Sequence, residues 1–250
     1  MLSVLITTIA CVPAAWLAPL LESASSGRIV LGDAQGTLWH GSALIGAAAQ
    51  GMGDRDPVIP LLPGRFVWRL SPLVLLGRID ATLENPLALS QPVGISGDWH
   101  AWSVTGGSIS LEAERLAGLG APLNTLQPSG QMVLAWQPLQ VTRRANGIDM
   151  RGMMTLEMTA MALRVSPVKP LGSYRMRMAW RGRQAVLTLG TVGGPLLLTG
   201  NGMLHDGHVQ FSGTAQAAEG QEDKLAGLLS FLGQRSRING KNVIELEFKT

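Results

Sequence analysis

The chain has 250 residues, enough for one large domain or two small ones, with 46 % hydrophobic and only 15 % charged residues. Soluble domains carry about 25 % charged residues, so the body is poor in charge and one end is apolar. A net charge of +3, one Tyr and four Phe leave no aromatic-and-basic surface for nucleic acid. The single cysteine, Cys11, excludes an intramolecular disulfide and any zinc site built from cysteines.

From Leu2 to Leu21 no side chain is charged. About twenty residues at about 1.5 Å each span about 30 Å, the thickness of bilayer hydrocarbon. Pro13 and Pro19 predict that the regular span ends near Val12. Pro13–Ser26 then becomes an interfacial stretch with Trp16 at headgroup level. A cleaved signal peptide is a second reading, with Ser23-Ala24-Ser25 as its cleavage site, but no Lys or Arg precedes Arg28. A buried core helix is the third. The leading expectation divides the chain into a membrane anchor with its interfacial segment at 1–21 and a periplasmic β-rich domain at 22–250.

Beyond Gly27 the pattern takes period two, the mark of half-buried strands. In Arg65–Leu70, Phe66, Trp68 and Leu70 oppose Arg65 and Arg69. In Arg78–Glu84, Ile79, Ala81 and Leu83 oppose Arg78, Asp80, Thr82 and Glu84. Ser108–Glu114, Tyr174–Trp180 and Ile244–Phe248 alternate in the same way. Weaker alternation marks Arg28–Leu31, Thr37–Ala47, Trp99–Thr105, Gln131–Gln137, Met150–Val165, Gln184–Leu189, Leu196–Leu204 and His208–Ala215. Turns are expected at Asp33–Gly36, Thr105–Gly107, Asn146-Gly147, Arg181-Gly182 and Asp206-Gly207, of which the Asn-Gly and Asp-Gly pairs suit two-residue hairpins. The 31 glycines and 14 prolines agree with many short strands. The expectation is a meander of ten to thirteen antiparallel strands with one greasy face.

One amphipathic helix is expected near the C-terminus. Leu225, Leu228, Leu229 and Leu232 in Asp223–Gln234 follow the i, i+3, i+4, i+7 spacing, with Gly233 as a stop. This leucine face should cap one end of the sheet. Trp16–Ser23 and Glu114–Leu119 are weaker helical stretches, and Gly51–Pro63 reads as a loop.

Few residues suggest catalysis. His205-Asp-Gly-His208 offers two imidazoles and a carboxylate, but Asp206-Gly207 is first a hairpin turn. His40 and His100 each follow a Trp and have no Ser or Cys nucleophile in an elbow context. Gly190–Gly194 joins strand-like stretches without opening a helix, so it does not form a phosphate cradle. Glu112, Glu114, Glu245 and Glu247 fall on solvent-facing strand positions, and Arg175 and Arg177 share one such face. No cofactor or metal is expected.

Six blocks, in order, carry a family resemblance. Leu31–Ala43 contains Gly36, Thr37, Leu38, Trp39 and Gly41, and Leu62–Pro72 contains Trp68. Pro122–Gly130 ends in Gln127, Pro128, Ser129 and Gly130. Ser166–Tyr174 includes Gly172 and Tyr174, Gly194–Gly202 opens on Gly194 and Pro195, and Leu225–Arg235 closes the series. From about Pro13 to Asn242 the chain resembles the type II secretion system protein N family. The resemblance implies a non-enzymatic, single-pass inner-membrane component of a general secretion pathway with its body in the periplasm. Its partners would be other components, namely the secretin or the inner-membrane platform subunits, together with membrane lipid. The expected fold is mainly β: an N-terminal transmembrane helix, a large, strongly curved antiparallel sheet (a meander forming an AsmA-like open groove or a partly closed barrel) and the C-terminal amphipathic helix. In an open groove, Met158, Met161, Met176 and Met178 would line a seat for phospholipid, whereas Ile244–Phe248 would offer an edge to a partner strand.

Overall fold

The computed structural model describes residues 11–25, 29–47, 59–121, 123–145, 147–232, 235–238 and 241–249. Period-two patterning shows itself as a single 17-stranded sheet in which every pairing is antiparallel. Its first half holds β1 (Ile29–Gly36), β2 (His40–Ala47), β3 (Ile59–Pro60), β4 (Phe66–Leu70), β5 (Arg78–Glu84), β6 (Val93–Asp98), β7 (Ala101–Val104) and β8 (Gly107–Glu112). Its second half holds β9 (Pro128–Trp136), β10 (Leu139–Arg144), β11 (Gly147–Leu163), β12 (Gly172–Gly182), β13 (Gln184–Gly193), β14 (Leu196–His205), β15 (His208–Ala217), β16 (Arg235–Ile238) and β17 (Lys241–Lys249).

The hub is β11. Along one edge it pairs with β12, and the chain then runs hairpin by hairpin through β13, β14 and β15 to β17 and β16. The other edge is shared. Gly147–Arg151 pairs with β10, and Met154–Leu163 pairs with β9. From β10 the sheet continues through β7, β6, β5 and β4 to β2 and β1, whereas β9 leads only to β8. Among the described residues β1 does not pair with β16 or β17, so the sheet does not close.

This topology corrects the simple meander. The β8–β9 hairpin leaves the path after β7 and returns to β10, so β7 and β10 pair across an interval of more than thirty residues. Four strands went unforeseen: β3, β6, β10 and β16. In β6, Gly94 and Gly97 interrupt the alternation. The stretch Asp33–Gly36 is not a turn but a bulge inside β1, with Asp33 at φ 47, and the chain reverses three residues later. The expected strand over Ser108–Glu114 stops at Glu112, and Ala113–Leu119 winds into a 310 helix. At Asp206-Gly207 both residues have positive φ, as a primed hairpin turn requires.

The C-terminal helix spans Glu222–Leu232 and seals one end of the sheet. Leu225 is 0 % exposed and Leu228 5 %, buried with Leu171, Leu196, Ala215 and Ile244. A second core lies where the arms meet. Phe66, Ala88, Leu89 and Val93 are buried there against Leu83, Val104, Ile109 and Trp136. Ile109 and Trp136 come from β8 and β9, so that hairpin lays its apolar face on the β4–β7 arm.

No helix among the described residues is long and apolar enough to cross a membrane. Most of the expected anchor, Met1–Ala10, lies outside them. After it come a 310 turn, Ala14–Leu17, and a short helix, Ala18–Ala24. The stretch expected to be interfacial is fixed to the sheet at its start. Pro13 bridges to Thr37, the Leu38 amide donates to the Val12 carbonyl at 2.8 Å, and Ala14 is fully buried. Trp16 remains 69 % exposed.

Candidate functional site

The family-block residues assemble into three junctions. At the first, Gly36 and Gly41 close the β1–β2 hairpin around Thr37, Leu38 and Trp39. The Thr37 amide donates to the His40 carbonyl at 2.9 Å, and the His40 amide donates to Thr37 Oγ1 at 3.2 Å. Trp68 lies over Gly41, where a Cβ would sit 2.5 Å from the indole, and donates its N–H to the Leu38 carbonyl at 3.0 Å. Beside it, Arg65 donates to both the Asp33 carboxylate and the Asp33 carbonyl at 2.6 Å, which ties the β1 bulge to the start of β4. Hydrogen bonds from Gln35 and then Arg65 hold the Asp33 carboxyl below the usual carboxylate range.

The second junction is Gln127–Gly130, and it edges a cavity of about 330 Å³ lined by Glu114, Ala117, Gln127, Pro128, Ser129, Arg164 and Lys169. Gln127 has φ 41 and accepts from Arg164 at 3.0 Å; the Gly130 amide donates to Glu114 at 3.3 Å. Gly130, at φ 127, presses on the Thr159 and Ala160 carbonyls, where β11 bulges against both its neighbours. A side chain there would meet backbone at 2.8 Å, so glycine is required. Of the polar groups lining this cavity, Gln127 and Arg164 are bonded to each other and Glu114 to the Gly130 amide, and among the described residues no hydrogen bond pairs a nucleophile with a base there.

At the third junction the Gly194 backbone crosses Gly172 so closely that a Cβ on Gly194 would overlap the Gly172 Cα. Tyr174, 5 % exposed, donates to the Leu196 carbonyl at 3.1 Å, and burial pushes its phenol up to about 12. The Ala218 amide donates to the Pro195 carbonyl at 2.8 Å, which joins this knot to the helix-sealed core. The second and third junctions adjoin at β11, where Met161 lies against Gly130 and pairs with Gly172. Each of the three shapes the sheet where it bends, bulges or is capped.

A partly open apolar surface runs across the same sheet. Strand register aligns apolar side chains on one face from β8 to β15. One cross-strand row reads Ile109, Leu134, Leu156, Met176, Leu189; the next reads Trp136, Met154, Met178, Leu187, Gly202, Phe211. Leu187 is buried, but Met154, Leu156, Met176, Met178, Leu189 and Phe211 are only half-buried. Of the four methionines expected to line a groove, Met158, Met176 and Met178 stand in these rows or beside them, while Met161 lies past the bulge and faces Gly130. Leu134, Leu156, Leu187, Leu189 and Phe211 were missed as lining; their strands were legible, but their shared face follows only from register.

The expected edge at Ile244–Phe248 is changed in part. Ile244 is buried between β15 and β16, but beyond it β17 has, among the described residues, a partner only on its β15 side. Glu245, Glu247, Phe248 and Lys249 are exposed there. The His205–His208 stretch is the hairpin turn it resembled, with Asp206 paired to Arg183 at 2.5 Å and to His205 at 3.2 Å. No cluster of three metal-binding side chains occurs among the described residues.

The described residues form one large antiparallel sheet with an apolar face, held in shape at glycine-centred junctions. Residues 27–243 match the family model described as type II secretion system (T2SS), protein N. The chain belongs to that family and is therefore a component of the type II secretion system. No curated protein and no solved structure matches it.

Proposed function

We propose that this chain is a non-enzymatic scaffold of the type II secretion machinery, anchored in the inner membrane by residues 1–21 with its β-rich body, 22–250, in the periplasm. The observation that carries the proposal is the open edge of β17. Beyond Ile244 its outer backbone groups have no sheet partner among the described residues, the condition under which a partner's strand adds to a sheet. Main-chain bonds would supply affinity, and the alternation of Glu245, Leu246, Glu247 and Phe248 would supply selectivity. The partner is a secretin or inner-membrane platform subunit. A photo-crosslinking side chain at Glu245 or Glu247 should capture one of these subunits in cells carrying the assembled machinery. Capture of neither, with the same probe at Lys224 giving an equal background, would overturn the assignment.

A second reading rests on a different observation, the half-buried apolar rows. A face lined by Met176, Met178 and Phe211 and left partly open suits acyl chains, and methionine adapts to them. On this reading the body holds phospholipid. Mass spectrometry of organic extracts from the gently purified chain should then find phospholipid near one equivalent, whereas a lipid-free chain removes this reading.

A further inference from the structure

The opposite face of β11–β14 carries a second pattern that the scaffold reading does not use. At the hairpin end Arg151 stands directly across from Arg181, and Arg177 stands across from Thr155 one row beyond the next. Between them runs a row of Met153, Ala179, Val186 and Met203. Met153, Val186 and Met203 are 42, 51 and 47 % exposed, although they occupy the polar side of the alternation. All three arginines are exposed. The acids of this region are taken up elsewhere: Glu157 by Arg175, Asp149 by Arg144 and Asp206 by Arg183.

Two guanidinium groups in direct cross-strand register repel each other, and this pair has no acidic side chain in ion-pair range among the described residues. Single exposed apolar residues are ordinary, but three in one register row flanked by uncompensated arginines are a stripe with a defined chemistry. The strands beneath are paired on both edges, so no further strand can add and recognition must be through side chains. We infer that this face docks on an anionic phospholipid surface, with Arg151, Arg177 and Arg181 on the phosphates and the Met153–Val186–Met203 row at the acyl boundary. Arginine forks suit phosphate oxygens, and methionine tips adapt to a surface without fixed contours. Cation–apolar faces of this kind are drawn to anionic lipid and release it at high salt. The surface is distinct from both the β17 edge and the apolar rows, so its failure leaves those readings standing.

Co-sedimentation of the full chain with phosphatidylglycerol–phosphatidylcholine vesicles, against phosphatidylcholine alone, tests the inference. Any contribution of the N-terminal segment is common to all variants. The wild type should partition far better onto the anionic vesicles, and salt should abolish the difference. At about 5-fold per arginine, the R151Q/R177Q/R181Q variant should lose on the order of 100-fold in that partitioning at low salt. M153S/V186S/M203S should weaken binding while keeping its salt dependence, and Lys224→Gln, on the helix at the far end of the strands, should change nothing. Circular dichroism of each variant confirms that the sheet is intact. An arginine variant that partitions onto anionic vesicles as well as the wild type overturns the inference. So does tighter binding of polyglutamate than of the anionic vesicles at matched charge, which would mark an acidic protein as the partner.

Discussion

Near the start of β14, Leu196 and its neighbours Ala215 and Ile244 are 0 to 4 % exposed, because Leu225 and Leu228 of the C-terminal helix lie on them. On the same face, Phe211 farther along β15 and Met178 on β12 are only half-buried, and no helix lies on them among the described residues. Tyr174–Trp180 and Ile244–Phe248 alternate alike although Met178 is half-buried and Ile244 is sealed, so alternation sets which face is apolar and not whether that face is covered. Covering requires a second layer, and here the chain supplies one at the helix and another where β8–β9 meets the β4–β7 arm. The stretch between is left for something else.

The difference can be broken first at its sealed end. Leu225→Ala should cost about 2–5 kcal/mol, since it opens a cavity in a site with no solvent access. Met176→Ala, on the open rows, should cost less than about 1.5 kcal/mol, because water or a bound chain already reaches that face. Paired denaturant unfolding curves measure both, and equal losses would contradict the contrast.

Tyr174 sharpens it next. It is the sole tyrosine, so the pH-dependent change in absorbance near 295 nm reports its ionisation alone. Its phenol should ionise near pH 12 in the folded chain and near pH 10 when unfolded. A raised folded pKa means the unfolded chain loses its proton first. The stabilising contribution is therefore intact below pH 10 and is lost as pH rises from 10 to 12. Tyr174→Phe should remove that alkaline component, at a cost near neutrality of about 1 kcal/mol from the lost bond to the Leu196 carbonyl. An ordinary phenol titration in the folded chain would show that the third junction is wet.

The smallest effect belongs to the solvent face. Glu157→Gln removes an ion pair to Arg175 whose partners are about half exposed. It should change stability by less than about 1 kcal/mol, with 1 M salt erasing the difference from wild type.

Sequence patterning anticipated the strands with long, uninterrupted alternation, such as Arg78–Glu84, which matches β5 residue for residue. It also found the leucine spacing of the capping helix. Strands interrupted by glycine, as β6, or short and charged at one end, as β10, carried too little period to register. The pairing of β7 with β10 was not legible at all, because long-range partnership leaves no local repeat. For the candidate surfaces the signals were uneven. Methionines of the apolar rows were visible, and the outer-face row is signalled by short breaks in alternation at Met153-Met154, Ala185-Val186-Leu187 and Met203-Leu204.

Accessibility of the apolar rows tests the central claim most directly. In a Cys11→Ser background, Met178→Cys and Ala215→Cys place one thiol on the open and one on the sealed part of the same face. After detergent exchange to strip bound lipid, maleimide should modify the cysteine at 178 at least about tenfold faster than that at 215, whose reaction must await opening of the helix-capped core. Equal protection of both thiols would mean that the apolar face is sealed throughout, and would contradict the account.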